Sequence, residues 1–328
     1  MVPNGWKLTS LGEVCSGKLQ TGPFGSQLHA DEYTDEGIPV LMPKDIINFR
    51  ANTAIAAKIP EYRANDLKKH YLKSGDLLFS RRGDVTRFAL IEKDTPKSIC
   101  GTGCLKAIPN KAHSALFLSY FLQKDAVKKW LEQNAVGQTM PNMNTTILSE
   151  LPLMVASSRD EEDKIAKILS TWDKAIATTE RLIATSQQQK KALMQQLLTG
   201  KKRLVNPETG KVFEGNWKHY SFGEIVKIQV KKYDPRTETV SLPCIELEHL
   251  SQDTGRILST ANSLELASIK NRFHKGDVLF GKLRPYLKKF AYPDFDGVCS
   301  TEIWVLKATS KIVSEYLYHF VHKRQSAF

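Results

Sequence analysis

The chain predicts an α+β fold, with two homologous domains of mixed sheet and helices joined by a long coiled-coil helix. Three features of the sequence lead there. The opening "GWKLTSLGEV" (5–14) returns as "NWKHYSFGEI" (216–225); the apolar segments inside each copy are short and punctuated by Gly, Pro, Asp and Asn; and residues 158–200 carry a helical repeat with no breaker. A length of 328 residues also exceeds what one hydrophobic core usually serves.

The repeat continues downstream. Trp6, Lys7, Ser10, Gly12 and Glu13 match Trp217, Lys218, Ser221, Gly223 and Glu224. "GDLLFSRRG" (75–83) answers to "GDVLFGKLR" (276–284), "CGTGCLKA" (100–107) to "CSTEIWVL" (299–306), and "LSYF" (118–121) to "LYHF" (317–320). The offset drifts from 211 to 201 to 199, as small loop insertions produce. Runs such as "IPVLM" (38–42) and "DLLFS" (76–80) read as strands, and 114–135 reads as a helix with Leu118, Phe121, Leu122, Val127 and Trp130 on one face. Trp6 and Trp217 read as matched core anchors. The domains are therefore placed at 1–157 and 217–328, with the spacer helix at 158–200 and a turn-rich linker at 201–216.

Ser158 followed by Glu161 is a capping-box pattern, and Gly200 stands where a left-handed residue closes a helix. Between them Ile165, Leu169, Trp172, Ile176, Thr179, Ile183, Ser186, Lys190, Leu193 and Leu197 recur at alternating steps of four and three, a heptad seam that is apolar at both ends and polar in its middle. A helix of about 40 residues is roughly 60 Å long and cannot bury this seam against itself. It needs a second helix, from this chain or another.

The net charge is +12, and the excess is spread as four, three and five positive charges over residues 1–155, 156–216 and 217–328. That balance predicts an anionic partner lying along the molecule, nucleic acid above all. Two similar domains on a stiff spacer suit a duplex, whose major-groove faces recur every ~34–36 Å. The five cysteines (15, 100, 104, 244, 299) lack zinc spacing and read as reduced core residues. No span or signal pattern is present, which predicts a cytoplasmic protein without membrane association.

Three runs carry a family resemblance: "TGPFGSQLHADEYTDEGIPVLMPKDI" (21–46), "GDVLFGKLRPYLKKFAYPDFDGVCSTEIWVLKA" (276–308) and "ALMQQLLTGKKR" (192–203). They resemble the specificity subunit of type I restriction-modification enzymes, over nearly the whole chain. The resemblance implies two target-recognition domains, each reading half of a bipartite double-stranded DNA sequence, and long helices that pair as an antiparallel coiled coil. It also implies docking of methyltransferase subunits on the helical region, with restriction subunits joining that core. The chain itself would then be non-catalytic and hold no cofactor, with S-adenosylmethionine, ATP and Mg confined to partner subunits. Two departures stand out. "ASSRDEEDKIA" replaces the usual Pro-Pro and Glu-Gln lead-in to the helix. By the last offset, a counterpart of 137–153 would begin near 336, beyond Phe328. Either this is a shortened form or another chain supplies the second helix.

For DNA contact the best candidates follow the matched Gly-Asp strands: Arg81, Arg82, Thr86 and Arg87 in the first copy, Lys282, Arg284, Tyr286, Lys288 and Lys289 in the second. A solvated basic face is the plainer reading of any one of them. Gln138, Asn142 and Asn144 in "GQTMPNMN" can pair with adenine but equally serve a turn. Gln27 in "GPFGSQ" is similar in kind, Gly22 and Gly25 being there for a tight loop. The candidate helical interface is Ile165, Leu169, Trp172, Ile176, Ile183, Leu193 and Leu197. Two other classes stay open: an assembly adaptor that reads no DNA, and a stand-alone endonuclease using Asp294 and Glu302. The absence of H-E-x-x-H, G-x-S-x-G and Asn-Pro-Pro-aromatic motifs weighs against an enzyme.

Overall fold

A Gly-Asp pair sets the frame of each copy. Gly75 and Gly276 adopt φ of +93° and +84°, conformations that a side chain disfavours. The following aspartate turns back on the chain, Asp76 accepting from the Lys73 N–H at 2.9 Å and Asp277 from the His274 N–H at 2.8 Å. The strand that starts after each pair is buried on both faces.

The computed structural model describes residues 2–24, 27–137, 140–228 and 231–323. It divides into two compact units, residues 1–179 and 180–328. The first contains β1 (Lys7–Ser10), β2 (Leu19–Thr21), β3 (Ile38–Leu41), β4 (Ile46–Ile47), β5 (Arg50–Ala51), β6 (Lys58–Ile59), β7 (Leu77–Ser80), β8 (Phe88–Leu90), β9 (Ile99–Cys100), β10 (Cys104–Ala107) and β11 (Pro152–Val155). Its helices are α1 (Leu11–Val14), α2 (Glu61–Asp66), α3 (Ala115–Phe121), α4 (Asp125–Asn134) and α5 (Thr145–Ser149); α6 (Arg159–Leu197) begins in the first unit and its residues from 180 onward belong to the second. The second contains α7 (Phe222–Ile225), β12 (Val226–Ile228), β13 (Lys232–Tyr233), β14 (Pro243–Ile245), β15 (Ala261–Asn262), β16 (Lys270–Phe273), β17 (Val278–Gly281), β18 (Phe290–Ala291), β19 (Gly297–Ser300), β20 (Ile303–Ala308) and α8 (Ser314–Lys323).

The sequence repeat is also a repeat of topology. One sheet runs β2-β10-β7-β8-β5-β4 in the first unit, and its first four positions recur as β12-β20-β17-β18 in the second. A parallel pair, β3 with β9, recurs as β14 with β19, and each is flanked by an antiparallel strand, β6 or β15. Side-chain parity is kept too. Leu77 and Phe79 join Phe88, Leu105 and Leu118 in one core cluster while Leu78 faces Leu41, Ala89 and Cys104. Val278 and Phe280 likewise join Phe290, Leu306 and Leu317 while Leu279 faces Ile245, Ala291 and Cys299. Each Val, Leu, Ile or Phe side chain buried in this way contributes about 1.5–3 kcal/mol, which fixes register, since a one-residue slip would exchange the two faces. All five cysteines are buried and unpaired; burial raises the Cys15, Cys100, Cys244 and Cys299 thiols to about 12.

Three expectations are corrected. The stretch 114–135 is two helices, α3 and α4, parted by a turn in which the Lys124 N–H donates to the Phe121 carbonyl at 3.2 Å. The turn lets Leu118, Leu122, Val127 and Leu131 all enter the same cluster, and periodicity alone does not register it. Trp6 is an anchor, edge-on to Phe117 at 5.7 Å, but Trp217 is 43% exposed. The cause is local: β1 pairs with β11, whereas Lys218–Ser221 forms no ladder among the described residues. The third concerns the start of α6. The Glu161 N–H donates to Ser158 Oγ as anticipated, but the Glu161 carboxylate accepts from Ser157 Oγ (2.6 Å) and Trp6 Nε1 (3.2 Å).

α6 is 39 residues without interruption. Its first turns are anchored by Glu162, which is fully buried and accepts from the Ser114 N–H at 2.7 Å beside His113 Nδ1 at 3.0 Å. Ile165 packs against the first unit's core, and beyond it the seam emerges: Leu169, Trp172 (66% exposed), Ile176 (55%), Ile183 and Leu193 are exposed and Leu197 half-buried. Gly200 at φ +70° ends the helix, and a Cβ there would meet the Trp217 ring at 2.7 Å. No helix among the described residues is long and apolar enough to cross a membrane.

α7 opens with a complete capping box in which Ser221 N–H and Oγ both donate to Glu224 at 2.8 Å, with Lys311 Nζ at 3.3 Å. These bonds from Ser221, then the Lys311 charge, hold the Glu224 carboxyl down at about 2. A depressed folded pKa contributes stability that is present above the ordinary 4.5 and lost as pH falls through about 2. Urea unfolding of Glu224→Gln should therefore show a flatter acid limb than the wild type between those values; superimposable limbs would contradict the capping role.

Candidate nucleic-acid interface

β7 must reverse into β8, so residues 81–87 form a hairpin loop closed by Ser80 N–H to Arg87 O at 2.8 Å. The loop is basic, and it is not isolated. The Arg81 N–H donates to Gly103 O (2.8 Å), the Arg81 carbonyl accepts from Met143 N–H (2.8 Å), and Gly83 N–H donates to Pro141 O (3.1 Å). Residues 141–143 are thus stitched to the hairpin, with Arg82 and Asn142 bridged. Asn142 and Val136 exchange backbone bonds at 2.8 and 2.9 Å. Behind Arg81 lies Phe24, exposed, its ring centroid 5.8 Å from the guanidinium carbon. Phe24 is held by a local loop in which Gln27 Oε1 accepts the Phe24 N–H at 3.2 Å. That loop leaves β2 through Gly22, where a Cβ would come within 1.8 Å of Gly101 O, so the close approach requires glycine.

Three segments that the sequence offers separately are therefore one surface. Their members differ in what remains free. Arg82 is exposed with no ion-pair partner among the described residues. Arg87 is paired to Asp84 at 2.9 Å, and Thr86 Oγ1 donates to the same carboxylate at 2.6 Å. Asn144 serves α5 as its N-cap, accepting from the Ile147 N–H at 2.7 Å. Gln138 lies outside the described residues. Phe24 is not singled out by the sequence; an aromatic side chain in a glycine-bounded loop is the available signal.

The second unit builds the equivalent hairpin between β17 and β18 with the same closures, Gly281 N–H to Lys289 O at 2.9 Å and Lys282 N–H to Glu302 O at 3.0 Å. Here the backbone is strained. Arg284 and Lys288 both take φ of +50°, each costing on the order of 1 kcal/mol. Asp253 holds the second of them, its N–H donating to Lys288 O at 3.0 Å and its carboxylate 3.4 Å from Lys288 Nζ. Lys289 Nζ is turned inward onto Leu247 O at 2.6 Å. Lys282, Arg284 and Tyr286 (70% exposed) face solvent. Glu302 lines an open cleft with Glu246, Glu248 and Lys270, whose ammonium is engaged by Glu246 (2.5 Å) and Ser268 (2.7 Å); Asp294 is not among the lining residues.

The match that decides the family is to the type I restriction modification DNA specificity domain, over residues 3–186. The chain belongs to this family. Among its relatives, the EcoDI type I restriction enzyme specificity subunit of Escherichia coli is 23% identical over 230 residues, 62% of this chain and 50% of that protein. The putative MjaX type I restriction enzyme specificity subunit of Methanocaldococcus jannaschii is 25% identical over 245 residues, 71% and 54% respectively. The chain thus spans about half the length of these specificity subunits. Among solved structures, the type I restriction-modification S subunit of M. genitalium shares the fold, with a TM-score of 0.54 at 15% identity over 98% of this chain and 78% of that one.

Proposed function

We propose that the chain is the non-catalytic sequence reader of a type I restriction-modification complex, each unit reading one half of a gapped duplex. The observation that carries this is the matched pair of basic hairpins, closed by the same backbone bonds in both units and bearing different side chains. Equivalent placement supports two contacts of one kind, and unlike residues support two different half-sites. Arg81, Arg82, Lys282 and Arg284 supply charge for phosphates and base edges, with Asn142 in the first unit and Tyr286 in the second, whereas Arg87 and Lys288 are already paired to Asp84 and Asp253. Gln27, Thr86, Asn144 and Lys289 keep the loops in shape, since each is engaged within its own loop or with the adjoining backbone.

The exposed seam of α6 supports a second role as scaffold. Trp172, Ile176 and Ile183 in solvent are an apolar stripe awaiting a partner helix, from methyltransferase subunits or from another chain that supplies the second strand of the coiled coil. Restriction subunits would join that core. S-adenosylmethionine, ATP and Mg would act on those partners. Mapping adenine methylation in a host with and without this gene tests the proposal. Loss of one gapped motif is expected on deletion; an unchanged methylome in a strain expressing the whole assembly would refute it.

A further inference from the structure

We infer that Arg81 and Asn142 read bases in the first unit's half-site while Arg82 holds a phosphate, an assignment that rests on the recognition role proposed above and divides its loop into two kinds of contact. Arg81 and Arg82 are neighbours in sequence and differently held. The Arg81 backbone is bonded on both sides, to Gly103 and to Met143, and its half-buried guanidinium sits against the Phe24 ring. Its Nε is buried and has no hydrogen-bond partner among the described residues. Asn142, with its backbone fixed to Val136, carries a second such atom, Oδ1.

One orphaned donor and one orphaned acceptor, on adjoining loops whose main chains are fixed, are costly to leave unpaired in a free protein. Both atoms are closed to solvent in the free chain, and a base edge that draws each side chain outward supplies what it lacks. A guanidinium fork matches guanine O6 and N7, and a carboxamide matches adenine N6 and N7. Direct readout also requires a loop whose main chain is fixed beforehand, which the backbone bonds provide, and the Phe24 ring gives the guanidinium a platform. Arg82 shares this fixed main chain, bridged to Asn142 and with its carbonyl accepting from Ser80 Oγ at 3.0 Å, but its side chain has no such platform: it is exposed and has no ion-pair partner among the described residues, which suits a phosphate, where charge and reach suffice. In the second unit Lys282 occupies the place of Arg81, with the same backbone closure and no fork, so this position makes no guanine contact of this kind there.

The test is selection of duplexes with randomised positions by the full chain, paired with salt titration. The wild type is expected to enrich a gapped pattern containing a guanine in one half. Arg81→Lys keeps the charge and loses the fork, so preference at that guanine should fall about 5- to 150-fold with the salt slope unchanged. Should the lysine variant melt early, Arg81→Gln serves, read against Arg82→Gln for the lost charge. Arg82→Ala should preserve the pattern, weaken all duplexes alike and make the slope of log K against log salt shallower by about one. An Arg81→Lys chain that enriches the wild-type pattern undiminished overturns the assignment, as does an Arg82→Ala chain that loses half of it. If the wild type enriches nothing, the recognition role itself fails and takes this inference with it.

Discussion

Replacing Arg81, Arg82, Lys282 and Arg284 together by alanine should make duplex binding both weaker and less sensitive to salt. Each phosphate left without its cationic side chain takes about 0.9 off the slope of log K against log salt. With three of the four on phosphates, the slope should become shallower by roughly 3, so the wild type loses about fiftyfold more affinity than the variant between 50 and 200 mM salt. Fluorescence anisotropy on a labelled duplex measures this directly. None of the four side chains has an ion-pair partner among the described residues, so the fold should tolerate the change. Wild-type salt dependence in the quadruple variant would mean that the hairpins are a solvated basic face. If the variant also kept its protein partners, the assembly-adaptor reading would stand in place of the reader.

Much of the architecture is legible in the sequence because repetition substitutes for an alignment. Gly75-Asp76 and Gly276-Asp277 recur since each pair closes a turn with the same positive φ and the same carboxylate bond. α6 is legible because a seam of period 3.5 between two caps leaves few alternatives. What is not legible depends on contacts distant in sequence. Trp6 and Trp217 look equivalent, but only the first lies beside a paired strand, supplied from 145 residues downstream by Pro152–Val155. The candidate site shows the same limit. Its loops can be nominated one at a time from their Arg, Asn and Gly content. That Phe24, the 81–87 hairpin and residues 141–143 form one surface follows from contacts such as Met143 N–H to Arg81 O and the Arg81 guanidinium on Phe24, which no local pattern encodes. Asn144 and Lys289, alike in composition to their neighbours, are already used by a cap and a carbonyl.

Acidification should destabilise the first unit through His70. This imidazole is almost wholly buried, its Nδ1 3.5 Å from Gln20 Nε2 and its Nε2 without a hydrogen-bond partner among the described residues. Lys106 drives its ammonium into the same region, bonded to the carbonyls of Lys69 and Tyr71 at 2.8 and 2.9 Å, on either side of His70 in the chain. Burial, followed by the Lys69 and Lys106 charges, lowers the His70 pKa from 6.5 to about 4. The unfolded chain then binds a proton below 6.5 that the folded chain refuses until about 4. Stability is fully present above 6.5 and falls as pH drops through that window, by about 3 kcal/mol at 1.36 kcal/mol per pH unit. Carboxylates titrate in the same range, so the measurement is a difference: urea unfolding of the wild type and of His70→Gln at pH 7 and pH 4. The variant, uncharged throughout, should lose about 3 kcal/mol less than the wild type between these two values. Equal losses would place the proton elsewhere. Because His70 immediately precedes Tyr71–Gly75, which leads into β7 and so into the Arg81 hairpin, the same protonation should loosen this hairpin before that of the second unit, where the position matching His70 is Asn271.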